Sequence, residues 1–237
     1  MTPSLILASR SPRRSQLLAA LGLAFAVDVA DVDETPFPDE QPAALVSRLC
    51  QAKAMAVARR HPAALVLAAD TLVALDGQLL GKPADAGEAA TMLARLSGRT
   101  HQVYTAVCVA RDGVYDARLS VSDVTMRGYS DAEIDGYVAT GDPLDKAGAY
   151  AIQHPQFTPV AAWTGCYAGI MGLPLRLARD MLRDAGVDAP RDVVEACERL
   201  SGGRCCARSE PSEHREEETL GGPHPGPPPL RRGGRDF

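Results

Sequence analysis

The sequence has no window of 18 apolar residues, and no basic segment followed by a long apolar run at its N-terminus. A membrane span and a signal peptide are therefore not expected, and a cytoplasmic location is the default. There is no excess of positive charge. Lys and Arg number 25 against 30 Asp and Glu, a net charge of −5, so general binding to nucleic acid or a membrane surface is not expected. There is no CxxC pair among Cys50, Cys108, Cys166, Cys197, Cys205 and Cys206. The first three stand far apart in apolar contexts and read as buried thiols, and no disulfide framework is implied. The five histidines (His61, His101, His154, His214, His224) lack HxxxH or HExxH spacing, so neither zinc nor a Ser-His-Asp triad is supported. No repeat recurs at a period of 20–50 residues.

What is present is an ordinary globular mixture, 46% hydrophobic and 23% charged, which excludes collagen, a coiled-coil rod and a wholly disordered chain. Gly and Pro concentrate at the end. Residues 201–237 hold only Leu220, Leu230 and Phe237 from the Leu/Ile/Val/Phe set, too little apolar surface to offset the entropy of ordering. The expected organisation is one domain over 1–189, one more short helix over 190–200, and a disordered tail over 201–237.

Strand and helix signals alternate through the domain. Ser4–Ala8 reads as a buried strand, and Ser11-Pro12 opens a helix with Ser as N-cap and Pro at the first position. Phe25–Val29 reads as a second strand and Pro42–Arg60 as a long helix. Leu65–Ala69 has the unbroken apolar run of a central strand. Two hairpins follow, one turning at Asp76-Gly77 and one at Asp112-Gly113. Asp85 with Glu88, and Ser130 with Glu133, open two further helices. Phe157–Ile170 reads as extended, and Pro174–Ala185 as a last helix before Gly186. This pattern favours an α/β or α+β mixed sheet.

Four segments carry chemistry. Ser9-Arg10-Ser11-Pro12-Arg13-Arg14 sits at a strand-to-helix turn. Arginines there oppose the helix dipole, so either they are solvated surface groups or they serve an anion held at the helix N-terminus. It is not a Walker A loop, which needs a Gly-rich run ending in Gly-Lys-Ser/Thr. Asp70, at the carboxyl end of the Leu65–Ala69 strand, either begins a turn or holds a metal or activates water. Gly81-Lys82-Pro83 presents Lys82 on a turn, and Lys53 stands on the long helix; both are solvated lysines or ligand groups. The run from Asp142 to Gln153 interleaves charged and small residues without a period, which suits a ligand loop. Glu34 is a candidate to join Asp70 as a hard-metal ligand, since two or so carboxylates with substrate phosphates are the usual holders of Mg²⁺.

Taken together these motifs resemble the Maf family of nucleoside triphosphate pyrophosphatases. The resemblance runs from about residue 4 to 185. It rests on Leu7-Ala-Ser-Arg-Ser-Pro-Arg-Arg14, Val32-Asp-Glu34, Ala69-Asp-Thr71, Leu80-Gly-Lys-Pro83, Leu96-Ser-Gly98, His101-Gln-Val103, Asp145-Lys-Ala-Gly-Ala-Tyr150, Ile152-Gln153 and Gly172-Leu-Pro174. Each stretch alone is weak; their order together is specific. The resemblance implies a mixed α/β sheet with flanking helices and a cleft between two lobes, similar to inosine triphosphate pyrophosphatases. It also implies a homodimer, a divalent cation (Mg²⁺ or Mn²⁺) and hydrolysis of a nucleoside triphosphate to the monophosphate and pyrophosphate, a house-cleaning activity.

By the same resemblance Asp70 is the catalytic carboxylate, and Arg13, Thr71 and Gln153 match positions linked to base choice. Ser9, Arg14, Lys53, Lys82 and Lys146 match cleft positions suited to phosphate, and Glu34 with Asp70 would hold the metal. The run Asp145–Gln153 looks like the branch acting on dTTP and UTP. The sequence departs from that branch at Ala151, at His154-Pro155 and over Thr164–Gly172. These departures flank the expected base pocket. They leave three alternatives to dTTP/UTP preference: 7-methyl-GTP, a broader range, or nucleotide binding without turnover as a division regulator.

Overall fold

A computed structural model describes residues 4–202 and 205–206 of the chain. Its order is β1 (Leu5–Leu7), α1 (Pro12–Ala20), β2 (Ala26–Val27), α2 (Pro42–Arg60), β3 (Leu65–Leu75), β4 (Gln78–Leu80), α3 (Ala86–Leu96), β5 (Thr100–Arg111), β6 (Val114–Met126), α4 (Asp131–Val138), two 3₁₀ turns (Asp142–Asp145 and Ala147–Ala149), β7 (Val160–Trp163), α5 (Tyr167–Ile170), α6 (Leu175–Asp184) and α7 (Val193–Ser201). The strands form one mixed sheet in the order β2-β1-β3-β5-β6-β7, with β4 also paired to β3. The β1 pairings are parallel and the others antiparallel.

Local chemistry accounts for most element ends. Ser11 Oγ accepts from Arg14 N at 3.4 Å, and Pro12 occupies the first turn of α1, where a missing N–H is harmless. Both hairpin turns place their central pair at positive φ, Asp76 and Gly77 at 51° and 77°, Asp112 and Gly113 at 52° and 80°. This is the twist-matched turn that Asp-Gly favours. The Ser130–Glu133 capping box at α4 is reciprocal.

Two expectations need correcting. The central strand does not end at Ala69. It continues through Asp70 and Thr71 to Leu75, because β5 pairs with it from Val66 to Ala74 without a break. Asp70 is therefore a mid-strand residue. Nor is Phe157–Ile170 extended throughout. Only Val160–Trp163 is strand; Gly165 turns the chain at φ 80°, and Cys166 caps the short helix α5. An apolar run alone does not distinguish a strand from a buried helix.

Alternation along β3 and β5 divides the core. Leu65, Leu67, Ala69, Val107 and Val109 pack with α1, α6 and α7 on one face. Val66, Ala68, Ala106, Cys108 and Ala110 pack beneath α2 on the other. Further along the same strands, Val73, Leu75 and Val103 join a third cluster with α3, α4 and Tyr150. The sheet thus carries two lobes, joined by strands that pass through both. One edge of β3 pairs with β1 over Leu65–Leu67 and with β4 over Val73–Leu75. Between these, Ala68–Leu72 has no strand on that side among the described residues. Asp70 and Thr71 occupy this gap.

Helix α7 packs on the first cluster through Val193, Ala196 and Cys197, and Cys205 is buried there too. The described fold thus extends past residue 201. The expected tail otherwise lies outside the described residues. Among those residues no helix is long and apolar enough to cross a membrane.

Candidate active site

The gap between β1 and β4 opens into a cleft of about 600 Å³, a volume suited to a nucleotide-sized ligand. Its wall takes residues from the turn before α1, from α2, β3 and the β4–α3 turn, from the second 3₁₀ region, and from Ile170–Gly172. Every site residue expected from sequence lines it: Ser9, Arg13, Arg14, Glu34, Lys53, Asp70, Thr71, Lys82, Lys146 and Gln153. Basic side chains (Arg10, Arg13, Arg14, Lys53, Lys82, Lys146) outnumber acidic ones (Asp31, Glu34, Asp70, Asp145), in a chain whose net charge is −5.

Asp70 is the centre. Only 8% of it is exposed. Its Oδ2 accepts from Lys53 Nζ at 2.9 Å, and its Oδ1 accepts from the Thr71 backbone N–H at 3.1 Å with Arg14 Nη2 at 3.6 Å. Lys53 also reaches Glu34 Oε1 at 2.8 Å, so the two carboxylates converge on one positive point. Glu34 is itself 62% exposed at its side chain.

Arg14 is the second hub. Its Nε donates to Gly172 O at 2.9 Å, Nη1 to Ser9 Oγ at 3.3 Å, and Nη2 to Thr71 Oγ1 at 3.1 Å. Thr71 Oγ1 lies 3.0 Å from Thr105 Oγ1, which donates to Gly169 O at 2.9 Å. One guanidinium thus ties the turn before α1, the open run of β3 and the wall after α5. Burial pulls its pKa below the usual range, with Asp70 opposing.

The expected phosphate cations fall into two groups. Arg14, Lys53 and Lys146 are already engaged; Lys146, only 7% exposed, donates to Asp142 Oδ1 at 2.8 Å and Asp145 Oδ1 at 2.6 Å. Arg13 and Lys82 have no hydrogen bond or ion pair among the described residues, and neither has Arg10, which sequence reasoning did not single out. Arg10 stood in the quoted motif, but only the fold shows it turned to the cleft.

A pair 49 positions apart was also missed. His101 is fully buried, and its Nε2 lies 2.8 Å from the hydroxyl of Tyr150, itself a cleft residue. His101 Nδ1 has no partner among the described residues. Burial pushes the imidazole down to about 4 from 6.5. The sign follows. Above pH 6.5 the ring is neutral in folded and unfolded chains, and its contribution is complete. Below that the unfolded chain takes a proton that the folded chain refuses, so stability falls toward pH 4, by at most about 3 kcal/mol. Urea midpoints are expected to drop between about pH 6.5 and pH 5, above the range where carboxylates such as Glu40 contribute. In His101→Gln that slope should shrink; an unchanged slope would assign it elsewhere.

A split mixed sheet with a buried carboxylate and, among the described residues, unpaired cations around one cleft defines an α/β protein built to hold a small polyanion. The chain belongs to the Maf family: the model for Maf-like protein matches residues 4–185. It is similar to the dTTP/UTP pyrophosphatase of Myxococcus xanthus (strain DK1622), 52% identical over 187 residues that cover 78% of this chain and 94% of the relative. It is also similar to the dTTP/UTP pyrophosphatase of Anaeromyxobacter dehalogenans (strain 2CP-1), 49% identical over 194 residues, 80% of this chain and 98% of the relative. Among solved structures the Staphylococcus aureus Ham1 protein aligns over 84% of this chain and 98% of its own, at 13% identity and a TM-score of 0.42.

Proposed function

We propose that this chain is a nucleoside triphosphate pyrophosphatase acting on dTTP and UTP, yielding the monophosphate and pyrophosphate. The observation that carries the reading is Asp70, fixed by two cations and a backbone N–H on the open run of β3, facing a cleft with Arg10, Arg13 and Lys82, which are unpaired among the described residues. The names of the relatives support the same activity.

In this reading Asp70 orients a water and accepts its proton as the water oxygen bonds to the α-phosphorus. The bond from the α-phosphorus to the bridging oxygen breaks, and pyrophosphate leaves with that electron pair. Lys53 and Arg14 fix the carboxylate before the substrate arrives, so little reorganisation is needed at the moment of reaction. Arg10, Arg13 and Lys82 neutralise the triphosphate, which favours a cluster of cations over neutral donors. Gln153, exposed at the cleft, and Thr71 contribute to base choice; a site built on polar pairing discriminates strongly against a mismatched base.

The donor set suits a divalent cation. Glu34 and Asp70 are brought together by the Lys53 ammonium, and two carboxylates plus substrate phosphates are a usual Mg²⁺ or Mn²⁺ environment. No larger His/Cys/Asp/Glu group that could hold a metal is present among the described residues. When bound there, the ion would supply charge neutralisation at the phosphates.

A homodimer in the cytoplasm remains part of the proposal. Tyr115, Leu119 and Val121 are exposed on one face of β6, whose outer edge is paired by β7 only from Val124 on. Such an apolar edge is suited to a second copy.

Pyrophosphate release from dTTP, UTP, CTP and 7-methyl-GTP, with Mg²⁺ or Mn²⁺, tests the reading. Turnover of dTTP and UTP is expected. Gln153→Ala should lower kcat/KM for both by about 10–100-fold through one lost polar contact. Preference for 7-methyl-GTP would overturn the base assignment, and no release from any of them would leave a nucleotide-binding regulator.

A further inference from the structure

Four of the six cysteines come from separated parts of the chain to one place. Cys166 precedes α5, Cys197 lies on α7, and Cys205 and Cys206 follow α7, which packs against α5. Cys166, Cys197 and Cys205 are buried in one apolar cluster, and Cys206 packs on it with part of its surface open. Their side chains lie close enough to act on one another: Cys206 on Cys166 and Cys205, and Cys205 on Cys197. Cys50 and Cys108 offer the contrast. They also lie near one another, but both are fully buried beneath α2, and burial pushes both thiols up.

The two thiols nearest α5 have unlike characters. The Cys166 thiol donates to Cys206, which holds the proton on Cys166 and lowers the pKa of Cys206; the charge of Arg176 works in the same direction on Cys206. The thiolate is the form that attacks a disulfide or peroxide, and an accessible thiolate beside a second thiol is the arrangement of a redox-responsive cysteine. Cys205 is a poor partner for Cys206, since neighbouring Cα atoms lie about 3.8 Å apart, below the range of an unstrained disulfide. Cys166, on a different element, has no such restriction.

We propose that Cys206 is an oxidant-reactive thiol and Cys166 its resolving partner, closing a reversible disulfide that ties the segment after α7 to the base of α5. With a small-molecule disulfide as oxidant, the Cys206 thiolate attacks one sulfur and releases one thiolate, leaving a mixed disulfide. Cys166 gives up its proton and attacks the Cys206 sulfur, which expels the second small thiolate. Two protein sulfurs are oxidised, one small disulfide is reduced to two thiol species, and the proton from Cys166 stays with one of them.

The bridge acts on the wall of the cleft. Cys166 Sγ accepts from Gly169 N at 3.4 Å, capping α5, and Ile170, Met171 and Gly172 follow directly into the cleft lining. The closed loop contains α6 and α7, so the oxidised chain should melt higher, by roughly 5–10 °C.

The test uses the full chain, oxidised with glutathione disulfide, blocked with N-ethylmaleimide and mapped as unreduced tryptic peptides, which are fragmented to separate Cys205 from Cys206 because both lie between Arg204 and Arg208. A linked pair joining Cys166 to Cys206, lost on addition of dithiothreitol together with the rise in melting midpoint, is the expected result. Cys206→Ser should form no link; Cys166→Ser should stop at a glutathione adduct on Cys206; Cys108→Ser should oxidise like the parent chain. The wild-type map needs no variant to fold. A link between another pair, glutathione on Cys50 or Cys108 ahead of Cys206, or an unlinked Cys206 fully blocked by maleimide would overturn the proposal.

Discussion

Asp70→Asn is expected to lower turnover by about 100-fold or more while the protein stays folded, the scale of losing a positioned proton acceptor. The substitution keeps the shape of the side chain but only one accepting oxygen, so it can serve Lys53 or the Thr71 N–H and not both. What it removes is the negative charge that faces Lys53 and Arg14, and with it the ability to take a proton from water. An amide N–H₂ turned toward Lys53 would set donor against donor, so the amide oxygen turns to Lys53 and the N–H₂ toward the Thr71 side. Ground-state binding of the triphosphate at saturating divalent cation should hold or tighten, because a carboxylate has been removed from a cleft that receives a polyanion, while the cation concentration needed for half-saturation should rise, because Asp70 is one of the two proposed ligands. The signature is therefore a fall in kcat with KM unchanged or lower. Pyrophosphate release measures the first, and the melting midpoint checks that the fold persists. Turnover near that of the parent chain would remove Asp70 from the chemistry and leave it as a partner for Lys53 alone.

How much of this was legible in the sequence depends on the range of the forces involved. The start of α1 at Ser11-Pro12 and the two Asp-Gly turns are set by residues adjacent in the chain, and the structure has them where the sequence puts them. The extent of β3 was not legible. An Asp in an apolar run looks like an ending, and only the unbroken pairing with β5 carries the strand past it. That difference matters for function: a mid-strand Asp70 is held between two lobes, whereas a residue in a terminal turn would have been free to move. The segment after Phe157 was misread for a related reason, since its mixture of Val, Ala, Tyr and Ile suits strand and buried helix alike. Gly165 decides it by packing at φ 80° against the β6 backbone, where a Cβ would come within 2.7 Å of Ser122 Oγ. The candidate cleft residues were found through ordered motifs, but their pairing was not. Nothing in the spacing of Arg14, Thr71 and Gly172 shows that one guanidinium joins them, nor that Cys166 meets Cys206. Such links are made by tertiary packing and leave no local pattern.

Arg14 provides the second large effect, and it separates two roles that the same motif suggests for neighbouring arginines. Arg14→Met is expected to destabilise the protein by about 3 kcal/mol, because the buried Gly172 carbonyl and Thr71 hydroxyl lose a charged donor and Asp70 loses one of its two cations. The melting midpoint should fall by roughly 6–10 °C. Turnover should fall about 100-fold as well, since the wall carrying Gly172 keeps only its link through Thr105 and loses the guanidinium that fixes it to the open run of β3 on which Asp70 stands. Lysine is not a substitute. It keeps the charge but offers a single point, whereas Arg14 donates in three directions at once, so Arg14→Lys should recover little of either loss. Arg13→Met should behave differently. Arg13 faces the same cleft with no hydrogen bond or ion pair among the described residues, so stability should change by less than about 0.5 kcal/mol while KM for the triphosphate rises. Thermal melts and steady-state kinetics on the three variants give the comparison. If Arg14→Met proved as stable as Arg13→Met, the guanidinium would be a substrate contact and not a tie between the turn before α1, β3 and the wall after α5, and Lys53 would be left as the cation fixing Asp70 among the described residues.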